Sequence, residues 1–263
     1  MKIIFILYAV IVFVNIFWVF GFFVRLVGIE TKKWSISNTF YQIINIIPQA
    51  IGLIQVPMIT LFTETAINKN QTLTSLFYQK IILYNFLGTF LGLLLMPFFM
   101  NYMKNIINKI YEESSLSIFF SKKLLKDIIF KLPMYNFGRY FKERKFIFGY
   151  FYIINSFIGL LLSIAFPLCV YIGYQIPAYR ATLISLVSVI IGIATIINIF
   201  FVELKISIIS DKIINKLIDI VILKDTLFNC LLGRLTGIIF GLFFLPYISK
   251  FTLLIIGYFI DKY

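Results

Sequence analysis

Ile3-Ile-Phe-Ile-Leu-Tyr-Ala-Val-Ile-Val-Phe-Val-Asn15-Ile-Phe-Trp18-Val-Phe-Gly21-Phe-Phe-Val24 carries no charge and one amide, and it ends on Arg25. A helix needs about 20 mainly apolar residues to cross the hydrocarbon core of a bilayer, and this run supplies them. It begins like a signal peptide, but it is too long, and no small-residue cleavage site follows. We therefore read residues 3–24 as a spanning helix. Working outward, five more candidates lie at residues 37–62, 77–100, 148–174, 181–201 and 228–248. The second is more polar and contains Pro48 and Pro57. After the sixth, an apolar tail reaches Ile260. It either extends that helix past Pro246 or forms a re-entrant piece.

Composition agrees with this reading. The chain is 61% hydrophobic and 13% charged, whereas soluble domains are about half apolar and about a quarter charged. The expected fold is an all-α integral membrane protein of about six transmembrane helices, forming a single transmembrane domain over residues 1–263.

The net charge of +13 does not point to nucleic acid, because the basic residues collect between apolar spans. Excess Lys and Arg marks the cytoplasmic side of a membrane protein. Loops 1–2, 3–4 and 5–6 hold 17 Lys and Arg, against four in the other outer segments. Both termini are therefore expected outside. The long basic link carries ten Lys and Arg over residues 101–145. Within it, Leu116, Phe119, Phe120, Leu124 and Ile128 fall near one helical face, with Lys122, Lys123 and Lys126 elsewhere. That pattern fits an amphipathic helix on the cytoplasmic membrane surface, or an ordinary helix packed on the bundle. Cys169 and Cys230 stand alone in apolar runs and read as small packing residues.

An internal repeat is visible. Gly88-x3-Gly92-x4-Pro97 matches Gly237-x3-Gly241-x4-Pro246. The segment ending at Glu64 parallels the one running from Glu203 to Asp211, and Arg25 after span 1 parallels Arg180 after span 4. Three spans per unit give a 3+3 inverted-topology repeat, a design of secondary transporters. Repeat one covers residues 1–103, a basic linker 104–146 and repeat two 147–263. Alternatively, G-x3-G serves only helix packing.

The chemistry on offer is cationic. Histidine is absent, so a Ser-His nucleophile is excluded. There is no G-x4-G-K-[ST] loop for nucleotide, no metal-ligand cluster and no expected cofactor. We read a transporter rather than an enzyme. Arg25, Lys80, Arg180, Arg234 and Lys250 lie in or beside spans. Such residues face a cavity or snorkel to the interface, and arginine's planar fork suits phosphate oxygens. Gln49, Gln55 and Asn85 line a polar path or bond neighbouring helices. Pro48, Pro57, Pro97 and Pro246 are hinges or static kinks.

Several stretches together resemble the alternate lipid II flippase family, Amj. They are Val24-Arg-Leu-Val-Gly-Ile-Glu-Thr-Lys-Lys33, Ile54-Gln-Val-Pro57, Pro177-Ala-Tyr-Arg-Ala-Thr182, Gly192-Ile-Ala-Thr195 with Asp211, and Gly233-Arg-Leu-Thr-Gly237. Their order spans nearly the whole chain. The resemblance implies a multi-pass protein of the bacterial cell membrane. It implies movement of lipid II, the undecaprenyl-pyrophosphate-linked peptidoglycan precursor, to the outer leaflet, overlapping in role with MurJ. It places Arg25, Gln55, Arg180 and Arg234 among polar motif residues, to which the reading of cationic positions adds Lys80. These five are the candidate substrate-binding residues. Departures from the family pattern are Asn15 as the polar group of helix 1, Gln49 in place of an arginine, and Glu30 where a basic residue is common. Expected partners are lipid II or a related anionic polyprenyl lipid, and membrane lipids. Six helices make a small bundle for so large a head, which admits a homodimer without fixing its interface. The rival readings are a carrier of another polyprenyl phosphate or anion, a membrane enzyme acting on polyprenyl phosphates, and a scaffold of the cell-wall machinery.

Overall fold

The computed structural model describes residues 2–69, 71–113 and 149–260. Among these residues six helical segments are long and apolar enough to cross a membrane, and no strand occurs. The helices are α1 (Lys2–Glu30), α2 (Trp34–Asn68), α3 (Ser75–Glu113), α4 (Tyr150–Gln175), α5 (Arg180–Ile197), α6 (Leu204–Ile214) and α7 (Ile220–Ile260). A π-helical turn, Asn198–Glu203, joins α5 to α6, so the two form one rod and a single span.

In the first half α1 packs on both α2 and α3, while α2 and α3 barely meet. In the second half α4 packs in the same way on α5 and α7. Most contact between the halves runs from α3 to α7 and α4. α4 is the most enclosed span, and α2 and the α5–α6 rod the least. The apolar side chains left exposed on these outer rods, such as Leu53, Ile54, Val189 and Ile196, suit a lipid environment.

Glycines set the close approaches. A Cβ on Gly88 would lie 2.6 Å from the Val12 carbonyl oxygen and 2.8 Å from Asn15 Cβ. Gly92 meets Val19 and Ile16 in the same way, so both glycines seat α3 on α1. In the second half Gly237 and Gly241 face α4, where a Cβ on Gly237 would be 2.7 Å from the Leu160 nitrogen. Small residues of this kind let helices associate by van der Waals packing where water provides no hydrophobic drive.

The ends of the bundle are polar and distinct. At the basic end, Glu30 accepts Lys104 at 2.5 Å and Lys224 at 2.8 Å, tying α1, α3 and α7 together. α1 finishes there in a 6→1 bond from Lys33 N–H to the Gly28 carbonyl, with Lys32 at φ 58°. α6 finishes alike, with Leu217 N–H to the Lys212 carbonyl and Lys216 at φ 58°. Both are Schellman closures with lysine in the left-handed position that glycine usually takes. At the opposite end, Leu73 N–H donates to the Tyr174 hydroxyl at 3.1 Å, and that hydroxyl donates to the Gln71 carbonyl at 3.0 Å. Loops 1–2 and 5–6 therefore share one end, and loops 2–3 and 4–5 the other.

The helices outrun several expected boundaries. α3 continues through Glu113 because Met103, Ile106, Ile107 and Ile110 keep a buried stripe against α1 and α7. α7 runs unbroken past Pro246, so the apolar tail extends the sixth span. Its Leu253 and Ile256 pack in the cluster around Leu7 and Tyr78. The expected amphipathic segment at residues 116–130 lies outside the described residues.

Candidate substrate cavity

A cavity of about 280 Å³ lies between the halves. α2 and α5 flank it without packing on each other. Its polar lining is Asn15 from α1, Gln49 and Gln55 from α2, Asn85 from α3, Ser163 from α4 and Arg234 from α7. Trp18, Leu162 and Ile238 supply apolar wall. Pro48 also lines it, at the start of the α2 turn that carries Gln49.

Arg234 reaches this position because Gly233, Gly237 and Gly159 bring α7 and α4 into backbone contact. A Cβ on Gly159 would lie 2.7 Å from the Arg234 carbonyl oxygen. Arg234 is buried, 8% exposed. Its carbon sits 3.1 Å from the Trp18 ring centroid, a cation–π contact that strengthens when water is excluded. Among the described residues no carboxylate pairs with Arg234, and its Nε has no hydrogen-bond partner. Gln55 Nε2 is likewise unpartnered. The Asn15 and Asn85 amides are engaged: Asn15 Nδ2 donates to Asn85 Oδ1 at 2.8 Å and to the Ile11 carbonyl at 2.9 Å. Among the described residues the cavity thus holds one cation, several amides and no acid. Its chemistry favours an anion rich in acceptor oxygens. Among the described residues, no three Asp, Glu or Cys side chains converge to hold a metal.

Two ion pairs bracket the cavity, and each joins one half to the other. Toward the basic end, Arg25 Nη1 meets Glu203 Oε2 at 2.5 Å, with both side chains largely buried. The Arg25 guanidinium also lies 3.7 Å from the Tyr41 ring centroid, and Tyr41 hydrogen-bonds Glu203. α1, α2 and the α5–α6 rod are thereby tied at one point. At the far end, Arg180 Nη1 is 3.6 Å from Glu64 Oε1, and half of the Glu64 side chain is exposed. Gly173 gives Arg180 room, its Cβ position being 3.1 Å from Arg180 Cγ.

The family model Amj, described as Alternate to MurJ, matches residues 7–254. The chain belongs to the Amj family. No curated protein and no solved structure matches it. The match to Amj includes every candidate residue named from the sequence. Of these, the structure places Gln55 and Arg234 in the cavity. Arg25 and Arg180 stand at its two ends, each held by an acid. Lys80 is exposed on α3, away from the cavity.

Sequence reasoning did not single out Trp18, Tyr41 or Glu203. Trp18 had a legible signal, since Asn15, Trp18, Phe22 and Arg25 share one stripe of α1 at helical spacing. The repeat pairing set Asp211 in register with Glu64 as the acid of the second unit. In the folded chain Asp211 is exposed, and the acid that pairs with arginine is Glu203, at the start of that segment.

Proposed function

We propose that this Amj protein is a lipid II flippase of the bacterial cell membrane and not an enzyme. Its cargo is the undecaprenyl-pyrophosphate-linked peptidoglycan precursor, carried from the cytoplasmic to the outer leaflet. The observation that carries this reading is Arg234: a guanidinium without an acid among the described residues, inside a bundle whose outer surface is apolar. A charge at that depth is costly unless a counter-ion arrives. The pyrophosphate of a polyprenyl lipid supplies one, and the gap between α2 and α5 lets the tail stay in lipid. The description Alternate to MurJ points the same way.

In this reading the basic end faces the cytoplasm, and the two halves form the inverted repeat. Three features support the repeat. Each half has its first helix as hub, each uses its glycine pair to seat its third helix on its first, and the two arginine–acid pairs cross between halves. Rocking of such halves about Arg234 exposes one site to either side in turn.

The second reading is a carrier of a smaller polyprenyl phosphate. It is favoured by the volume of about 280 Å³, which holds a pyrophosphate but not a glycopeptide head unless α2 and α5 part. The test is expression in bacteria whose own lipid II flippases are shut off, followed by a periplasmic toxin that cleaves lipid II. Renewed cleavage that falls at least tenfold in Arg234→Gln is expected. No cleavage, with the protein verified in the membrane, removes lipid II as cargo and leaves the smaller phosphate. Cleavage indifferent to Arg234→Gln keeps the flippase and discards this cavity.

A further inference from the structure

Arg25 lies about 10 Å from Trp18 along α1, two helical turns toward the basic end. Asn15, Trp18, Phe22 and Arg25 follow one another on a single stripe. The Trp18 and Phe22 rings are 4.5 Å apart between the two cationic positions. Arg25 is buried, 8% exposed, but its pairing with Glu203 is one-sided: Nη1 meets the carboxylate, while Nε has no partner. A guanidinium can present two parallel N–H donors to one oxyanion. Glu203 therefore uses only part of what Arg25 offers, and a phosphate with three oxygens can use more.

Glu203 is also poorly anchored on its own helix. It closes the π turn Asn198–Glu203, whose Phe201 carbonyl is taken by the Tyr150 hydroxyl at 3.1 Å. From that helix its other oxygen receives only a 3.5 Å contact from Asn198 Nδ2, its bond from Tyr41 coming from α2. π turns appear mostly as single-turn bulges inside α-helices and occur often at functional sites. Returning such a turn to α geometry slips the register by one residue, which swings a side chain by about 100° around the axis. That swing takes the Glu203 carboxylate off Arg25.

We infer that Arg25 is a second phosphate-binding position in series with Arg234, and that Glu203 occupies it as an internal competitor until the anionic head of the cargo displaces it. The inference rests on reading the cavity as the path of a polyprenyl phosphate or pyrophosphate. Loading then breaks the tie between α1, α2 and the α5–α6 rod, so the basic end opens only when an anion takes over the arginine. Glu203 is a positioning residue in this scheme, and Arg25 the ligand.

The experiment uses the full chain in lipid nanodiscs with farnesyl pyrophosphate as a short-tailed probe. Binding is read by calorimetry and by the probe-induced rise in thermal midpoint. Glu203→Gln removes the competitor, so the probe is expected to bind about tenfold tighter, within the usual span of coupled sites, and to raise the midpoint more than in the wild type. A purely structural ion pair predicts only a lower midpoint, with affinity unchanged. The double variant Arg25→Gln with Glu203→Gln leaves no lone charge and is expected to lose the gain. If Glu203→Gln alone does not fold, Glu203→Asp, whose carboxylate is drawn back by one methylene, is expected to tighten the probe by a smaller factor. Unchanged or weaker binding in the single variants, or a gain that survives in the double variant, overturns the inference. Failure of the lipid II reading looks different: the toxin assay stays silent while Glu203→Gln still tightens the probe.

Discussion

Replacing Gly88 with alanine puts a methyl group where α3 touches the backbone of α1. The added Cβ would meet the Val12 carbonyl oxygen at 2.6 Å, Asn15 Cβ at 2.8 Å and Val12 Cα at 2.9 Å. None of these atoms can swing aside. Ordinary contact begins near 3.4 Å, so α3 must retreat by about 0.8 Å, the difference between 3.4 and 2.6 Å. A gap of that size forfeits about a quarter to a half of each dispersion well along the seam. It also stretches the Asn15–Asn85 bond from 2.8 Å to roughly 3.6 Å, beyond a hydrogen bond. Overpacking costs about 1–3 kcal/mol, and the lost interhelical bond about 0.6 kcal/mol. Alanine returns up to about 1 kcal/mol of helix propensity. Gly192 is the internal control, since a Cβ there meets nothing within 4 Å, and Gly192→Ala should be neutral or slightly stabilising. We expect the two variants to differ by about 2–3 kcal/mol in reversible unfolding in mixed micelles. If Gly88→Ala unfolds within about 0.5 kcal/mol of Gly192→Ala, the close α1–α3 approach is wrong, as is the account of how Asn15 is placed at the cavity.

Two further outcomes are expected. Lys32 and Lys216 both sit at φ 58°, where a side chain costs about 1–2 kcal/mol; Lys32→Gly and Lys216→Gly should each raise the thermal midpoint, and a fall in both would show that the lysine side chains matter more than the backbone. Glu30 is bridged by two lysines with its side chain 17% exposed, whereas Glu64 faces one arginine at 3.6 Å and is 50% exposed. Glu30→Gln should therefore cost about 1–2 kcal/mol, since it leaves two half-buried ammonium groups without their acid, and Glu64→Gln under about 1 kcal/mol, as compared by denaturant midpoints.

Spanning helices are legible in a sequence because hydrocarbon imposes length and apolarity directly on the chain. α1 announced itself by its uncharged run, and the glycine–proline pattern marked α3 and α7 before either could be placed. Both helices nevertheless exceed the lengths read from hydropathy, since hydropathy ends where charge begins. Lys104 and Lys224 are charges that a helix can keep, because Glu30 waits between them. Arg234 was visible as a charge inside an apolar helix. That no acid among the described residues pairs with it depends on which helices surround it, and no local pattern carries that information. Glu203 was hidden for a different reason. A one-residue π insertion changes which face a side chain presents, so a repeat aligned by spacing selected Asp211 instead. Lys80 shares the composition of the cavity cations but stands on the outward face of α3.

The crossing of the two ion pairs also bears on how the protein is made. Arg25 is synthesised 178 residues before Glu203, the difference between their positions. At the usual rate of about 5–20 residues per second, that is a delay of about 10–35 s. Until the fifth span arrives, the arginine at the end of α1 has no acid to hold it and must reach for the lipid headgroups. Glu64 waits in the same way for Arg180. Neither arginine–acid pair can close within one half, so assembly is completed by the docking of a late half onto an early one.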